Sequence, residues 1–369
     1  MSNLQVKNNN ISEIIINSLK SLVFPICSIL VSLFVAVFFV MWSKGYNITQ
    51  YFTALTDLLT IIVNASFGDK SRAFETIVFV TPLVFTGVAH SVAFKCGLFN
   101  IGVEGQFTLG MLAASIVGII PGLSPIVHIP LLIISGIAAG GVWGAVPGYL
   151  KAKFGTNEVI NSIMMNYIAM YVVNFVVLRT PIGIASKSST PVIQDSAKLM
   201  QFSSSSRANI GIIIAIICAI FIYWLIWKTT VGYEIRAVGI NPHSAEYGGI
   251  NIAKSTVLAM VISGAIAGLG GAAHLSGAAY SSSDLMSFIG YGFDGIAVAL
   301  LAKSNPIGCI PAALLFGALN SSSRILQLNN IPKEIVYLIQ SVVIIFVATD
   351  YIVKYFEEKK RKKGATVNG

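Results

Sequence analysis

Charge is what this chain has least of. Only 11% of its 369 residues are Asp, Glu, Lys or Arg, against 55% apolar residues, whereas a soluble domain carries roughly 25% charged residues. A large core cannot explain the deficit, because a surface in water still has to be covered. Mean hydropathy is +0.79. A water-soluble protein is excluded, and the class is a polytopic membrane protein. Cysteine is also scarce: Cys27, Cys96, Cys218 and Cys309 lie singly in or beside apolar runs. They have no metal-ligand spacing and no disulfide framework, and they read as small buried hydrophobes. His90, His128, His243 and His274 are equally scattered, so a metal site has no support. The Walker A pattern G-x-x-x-x-G-K-[ST] is missing, which removes an ATP-binding module from this chain. No Ser/His/Asp or His/Asp/Glu grouping favours an integral-membrane enzyme.

What is present is a series of apolar runs. At about 20 residues per crossing helix, spans are expected near residues 22–42, 74–95, 98–120, 129–150, 158–179, 208–227, 255–280, 285–302, 306–323 and 333–353. That is an all-α protein of about ten transmembrane helices, forming a single transmembrane domain over 1–369. The first run is too long for a signal-peptide core and lacks an A-x-A-like site, so it is read as a retained span. Two polar external loops are expected, at 43–73 and 181–207, the first holding a surface-lying or re-entrant helix, YFTALTDLLTIIVNASF. The tail KYFEEKKRKK within 354–369 marks the cytoplasmic side and places both termini there, in a cell membrane. Without a basic groove or an aromatic platform, nucleic acid is not an expected partner; membrane lipid is.

Glycine supplies two signals. In SGIAAGGVWGAVPG, Gly136, Gly140, Gly144 and Gly148 recur every four residues, and Gly264 and Gly268 repeat the spacing, continued by Gly271. Such stripes let two membrane helices approach closely. Elsewhere glycines break apolar runs beside acids, in GLFNIGVEGQF (97–107) and GYGFDGI (290–296). Glu104 and Asp294 are the two acids expected at membrane depth, where ionisable groups face a cavity or a partner. Glu104 has local alternatives: a salt bridge to Lys95, or capping of its own helix. Asp294 has the same local capping alternative. Paired glycine-broken spans in the two halves of a chain point to a path lined by irregular backbone.

The longest cytoplasmic loop expected is KTTVGYEIRAVGINPHSAEYGGINIAK, 228–254. Asn241 can cap a helix, Pro242 suits its first position, and Gly248 or Gly249 can close it. A helix that short needs something to pack against, either this protein or a partner.

GYEIRAVGINPHSAEYGGI resembles the coupling loop of ABC-type importer permeases. GLFNIGVEGQFTLG, TNEVINSIMMNYIA (156–169) and GYGFDGIAVALLAKSNPIG (290–308) resemble the nucleoside branch of the branched-chain amino acid, sugar and nucleoside permease superfamily. The resemblance implies a type II-like permease, with glycine-broken or re-entrant segments, pairing with an identical or homologous second permease. It also implies ABC ATPase subunits, which bind the ATP and magnesium, and an extracytoplasmic substrate-binding lipoprotein. This chain would be no enzyme and hold no cofactor. The loop bearing Gly232, Glu234, Arg236, Gly239, Asn241, Pro242, Ala245, Glu246 and Gly249 would seat in the ATPase, with Glu234, Arg236, Asn241 and Glu246 as exposed polar contacts. Asn100, Glu104, Gln106, Asn161, Asn166 and Asp294 would offer hydrogen bonds to ribose or base, and Phe99, Phe107, Tyr167 and Phe293 could stack on a base. A sugar permease and an ion-coupled transporter using Glu104 or Asp294 are the alternatives.

Overall fold

The computed structural model describes residues 30–204 and 206–346. The basic tail, Cys27 and the outer ends of the first and last expected spans (22–29 and 347–353) lie outside the described residues. The chain is mostly helical, with thirteen helices among the described residues: α1 (Leu30–Lys44), α2 (Tyr51–Phe67), α3 (Lys70–Lys95), α4 (Val103–Gly118), α5 (Pro125–Phe154), α6 (Glu158–Arg179), α7 (Gly211–Lys228), α8 (Thr230–Ile240), α9 (Pro242–Tyr247), α10 (Ile252–His274), α11 (Tyr291–Leu301), α12 (Cys309–Leu328) and α13 (Glu334–Phe346). It divides into two compact units, residues 1–60 with 324–369, and residues 61–323. In the first, the Tyr51 hydroxyl donates to the Phe34 carbonyl at 2.8 Å and its ring stacks on Phe34.

In the larger unit, local signals set the helix ends. Asp69 caps α3 by accepting from the Arg72 amide at 2.9 Å. Asn157 caps α6, and Asn251 caps α10. Pro125 occupies the first turn of α5, and Gly155, at φ +65°, ends that helix in the left-handed conformation only glycine adopts freely. From Val80 to Ala93, α3 is buried on every side, which marks it as the centre of the unit.

Six described helices are long and apolar enough to cross a membrane: α3, α5, α6, α7, α12, and α10 with the π-helical turn Leu275–Ala279 that prolongs it. Two expected spans are shorter than read. The segment expected at 98–120 becomes helical only at Val103, and that expected at 285–302 only at Tyr291. At 1.5 Å per residue, the 16 residues of α4 and the 11 of α11 reach about 24 and 17 Å, less than the ~30 Å hydrocarbon core. Non-helical segments at 96–102 and 284–290 precede them, ending in Gly102 and Gly290.

The expected glycine stripes form the seam between α5 and α10. A Cβ on Gly140 would collide with the Gly264 carbonyl and come within 2.7 Å of Gly268 Cα; one on Gly136 would lie 2.8 Å from the Gly268 carbonyl oxygen. Gly144 and Gly148 meet the Met260 backbone and side chain, and Gly271 packs in the same way on the Phe107 carbonyl of α4. The 181–207 loop is more ordered than its polarity suggests. It contains an antiparallel pair, β1 (Gln201–Ser203) and β2 (Ser206–Asn209), and laces to the segment after α10 through Ile193 N–H to Tyr280 O, Leu199 N–H to Ser276 O and Thr190 N–H to Ser282 O. On its surface Lys198 pairs with Asp195 at 2.6 Å, which holds that carboxyl below the usual carboxylate range.

Adjacent glycines provide the test of the seam. Gly140→Ala has no room and should cost about 1–3 kcal/mol. At Gly141 the nearest neighbour to an added Cβ is 3.5 Å away, so Gly141→Ala should stay within about 0.5 kcal/mol. Thermal unfolding in detergent should separate the two variants; equal transitions would contradict the packing.

Candidate functional site

The turn at 96–102 and the first turn of α4 are held by three neighbouring elements. Asn100 and Gln106 pair their amides reciprocally, at 3.0 and 3.2 Å. Asn100 also donates to Ser263 Oγ of α10 at 2.9 Å and accepts from the Gly102 amide at 3.1 Å. From α6, Asn166 accepts from the Gly105 amide at 2.8 Å and donates to the Ile101 carbonyl at 2.9 Å. Glu104 reaches across to α11: its two oxygens accept from the Gly290 and Gly292 amides at 2.8 and 2.6 Å. His90 of α3 meets the Gly292 carbonyl through Nε2 at 2.8 Å, a contact that requires the proton on Nε2. Asn100, Glu104 and Gln106 are fully buried and Asn166 nearly so.

The structure therefore resolves the alternatives for Glu104 in an unexpected way. It caps the start of a different helix, distant in sequence. Lys95 lies elsewhere, its ammonium 5.5 Å from the centre of the Trp227 ring, and makes no salt bridge among the described residues. Asn100, Glu104, Gln106 and Asn166, expected to offer hydrogen bonds to a solute, all have partners inside the protein. The physical reason is that a helix starting at membrane depth has N–H groups with no intrahelical partner, and no water to satisfy them.

The other expected residues, Phe107 apart, stand nearer a surface. Asp294, in the first turn of α11, is half-buried and accepts from Asn320 Nδ2 at 2.9 Å. Phe293 is partly exposed and meets Phe288 edge-on at 5.5 Å; Tyr167 meets the same ring at 5.0 Å. Phe288 thus gathers Tyr167 and Phe293 beside Asp294. It lies in the turn before α11, and no sequence pattern singled it out. Phe99 stacks on Phe94, and half-buried Asn161 donates to Thr156 Oγ1 at 2.6 Å. Phe107 is fully buried between His274 and Tyr291, so its role is packing.

The loop 228–254 folds into two helices. Thr229 caps α8, and Asn241 caps α9 by accepting from the Ser244 amide at 3.2 Å, with Pro242 at its first position and Gly249 at φ +80° beyond it. Glu246 is exposed and Glu234 half-buried. Arg236 is half-buried too and lines a cleft between α8 and α9. Its guanidinium lies 4.4 Å from the Trp227 ring centre and donates to the Ile226 carbonyl, because the end of α7 offers it an aromatic face and an uncapped carbonyl. Gly232 fits against the carbonyls of Leu225 and Ile226, Gly239 against Lys95 and Cys96, and Ala245 is the buried residue of α9. Tyr233, Ile240 and Tyr247 are exposed, the last two at 85% and 99%, and Tyr233 and Ile240 line the same cleft, of about 320 Å³.

A family model described as branched-chain amino acid transport system / permease component matches residues 72–348. The chain belongs to that permease family. The permease is 38% identical over 356 residues to the guanosine ABC transporter permease protein NupP of Bacillus subtilis (strain 168), covering 95% of this chain and 99% of that one. It is 34% identical to the nucleoside ABC transporter permease protein NupB of Lactococcus lactis subsp. cremoris (strain MG1363), with 80% and 84% covered. Similarity also extends to the glucose ABC transporter permease protein TsgB13 of Haloferax volcanii, at 29% identity with 76% and 77% covered.

Removing the Glu104 carboxylate from the permease leaves two buried amides without acceptors. Glu104→Ala should cost about 2–3 kcal/mol, and Glu104→Gln, which keeps one accepting oxygen, should cost less. Thermal unfolding of the purified variants checks the order; a neutral Glu104→Ala would remove the capping role.

Proposed function

We propose that the permease is the membrane subunit of an ABC importer that carries nucleosides. The observation that carries this reading is the 38% identity to a guanosine permease over nearly the full length of both chains. Both termini and the coupling loop are assigned to the cytoplasm of a cell membrane. In support, Lys153 and Lys254, at the ends of α5 and α10, line one cleft and so share a face, as the excess of basic residues on cytoplasmic ends requires.

In this reading α9 seats in the groove of a partner ATPase, which binds the ATP and magnesium. Exposed Tyr233, Ile240 and Tyr247 form an apolar rim, with Asn241 and Glu246 as polar contacts. A second permease subunit and an extracytoplasmic binding protein complete the importer. Motion of α9 passes to α8, whose Gly239 packs on the end of α3, and so to Gly97 in the turn before α4. From there Glu104 carries it to α11. The path is lined by Asp294, Phe293, Phe288, Tyr167, Phe99 and Asn161, whose aromatic faces suit a nucleobase. Asn100, Glu104, Gln106 and Asn166 act through the backbone they hold.

The test is uptake of radiolabelled guanosine by the assembled complex in proteoliposomes, with excess unlabelled adenosine, uridine, ribose or glucose as competitor. Competition by nucleosides and none by the sugars is expected; the reverse would favour a sugar permease. Persistence of uptake without ATP, driven by an ion gradient, would overturn the ABC reading. In the same assay Glu246→Lys should lower transport at least severalfold while leaving the thermal transition of the permease unchanged, because an exposed charge contributes within ±0.5 kcal/mol to folding.

A further inference from the structure

We propose that the groove between the C-terminal end of α5 and the N-terminal end of α10 binds an anionic phospholipid. The groove has a volume of about 590 Å³, within the usual range for a small-molecule site. Ala152, Val257, Leu258 and Val261 form apolar walls, while Lys153 and Lys254 stand on the rim. Val257 and Val261 are one helical turn apart, so the walls run along α10 from the lysines into the span.

Among the described residues neither ammonium group has a counter-charge: no acid lines the groove, and neither lysine lies within 4.0 Å of a carboxylate. Lys151, two residues away, shows the contrast: it pairs with Glu158 at 3.0 Å. The Lys153 ammonium is held at 5.3 and 5.5 Å from the ring centres of Tyr149 and Phe154, the kind of aromatic setting found where a membrane helix meets the headgroups. Two positive charges above an apolar slot between spanning helices match a phosphate headgroup above an acyl chain. A free anion would satisfy the lysines and leave the walls bare. A second copy docked here about a two-fold axis would bring its own two lysines against these. The proposal rests on α5 and α10 crossing the membrane, not on the solute transported.

Native mass spectrometry of the full-length chain tests it, with phosphatidylglycerol or phosphatidylcholine of identical acyl chains titrated into the detergent solution. Each lysine close to an anionic headgroup favours it by about fivefold, so retained phosphatidylglycerol should exceed phosphatidylcholine by roughly tenfold or more. Lys153→Gln/Lys254→Gln, which alters exposed side chains alone, should bring the two lipids within about twofold, and Lys151→Gln should keep the preference. Val261→Trp, which fills the slot, should lower adducts of both lipids. The proposal falls if wild-type protein shows no preference, if the double variant keeps it, or if glycerol phosphate without acyl chains competes as well as the lipid. It falls also if Lys153→Cys forms a disulfide between two copies of the permease across this groove.

Discussion

The Glu104 carboxylate, accepting from the Gly290 and Gly292 amides, is the interaction on which the interior of this permease depends. A helix that begins inside the hydrocarbon exposes N–H groups that neither its own turns nor water can satisfy. The carboxyl group brings two accepting oxygens to the start of α11, where backbone N–H groups have no partner in their own helix. His90 secures the Gly292 carbonyl from the other side. One buried side chain on α4 thereby fixes the position of a short helix that carries Phe293 and Asp294.

That clamp is useful because its own base is rigid. Asn166 of α6 satisfies the Gly105 amide and the Ile101 carbonyl, and Asn100, held by Gln106 and by Ser263 of α10, accepts from the Gly102 amide; the α5–α10 glycine seam leaves little slack behind them. On the opposite side, Trp227 receives Arg236 on its ring, with Lys95 close by, joining α7, α8 and the end of α3. Packing therefore runs from α9 through α8 and the end of α3 to the broken segment before α4, the kind of contiguous network through which coupling between distant sites can travel.

Sequence made the local features legible and concealed the distant ones. Asn241, Pro242 and Gly249 announce α9 because capping and turn chemistry act over a few residues. The stripe at Gly136, Gly140 and Gly144 announces a close helix contact because its period is that of a helix. Glu104 announces a buried acid, but its partner lies 188 residues away at Gly292, and nothing local encodes that pairing. Arg236 is closer to its partners, nine and ten residues back at Trp227 and Ile226, but the pairing depends on how α8 folds back on the end of α7, which no single-helix pattern encodes. The β1–β2 pair escaped notice because short strands in a polar, serine-rich loop carry no hydrophobic alternation. Phe288 is one aromatic among many until the fold sets it between Tyr167 and Phe293.

Hydrogen–deuterium exchange of the segment 288–294, followed by mass spectrometry in wild-type permease and Glu104→Ala, tests the clamp most directly. The Gly290 and Gly292 amides should exchange slowly in the wild type and much faster in the variant, with the α5–α10 seam still protected in both. Equal protection of 288–294 in the two proteins would mean that α11 is held by something other than Glu104.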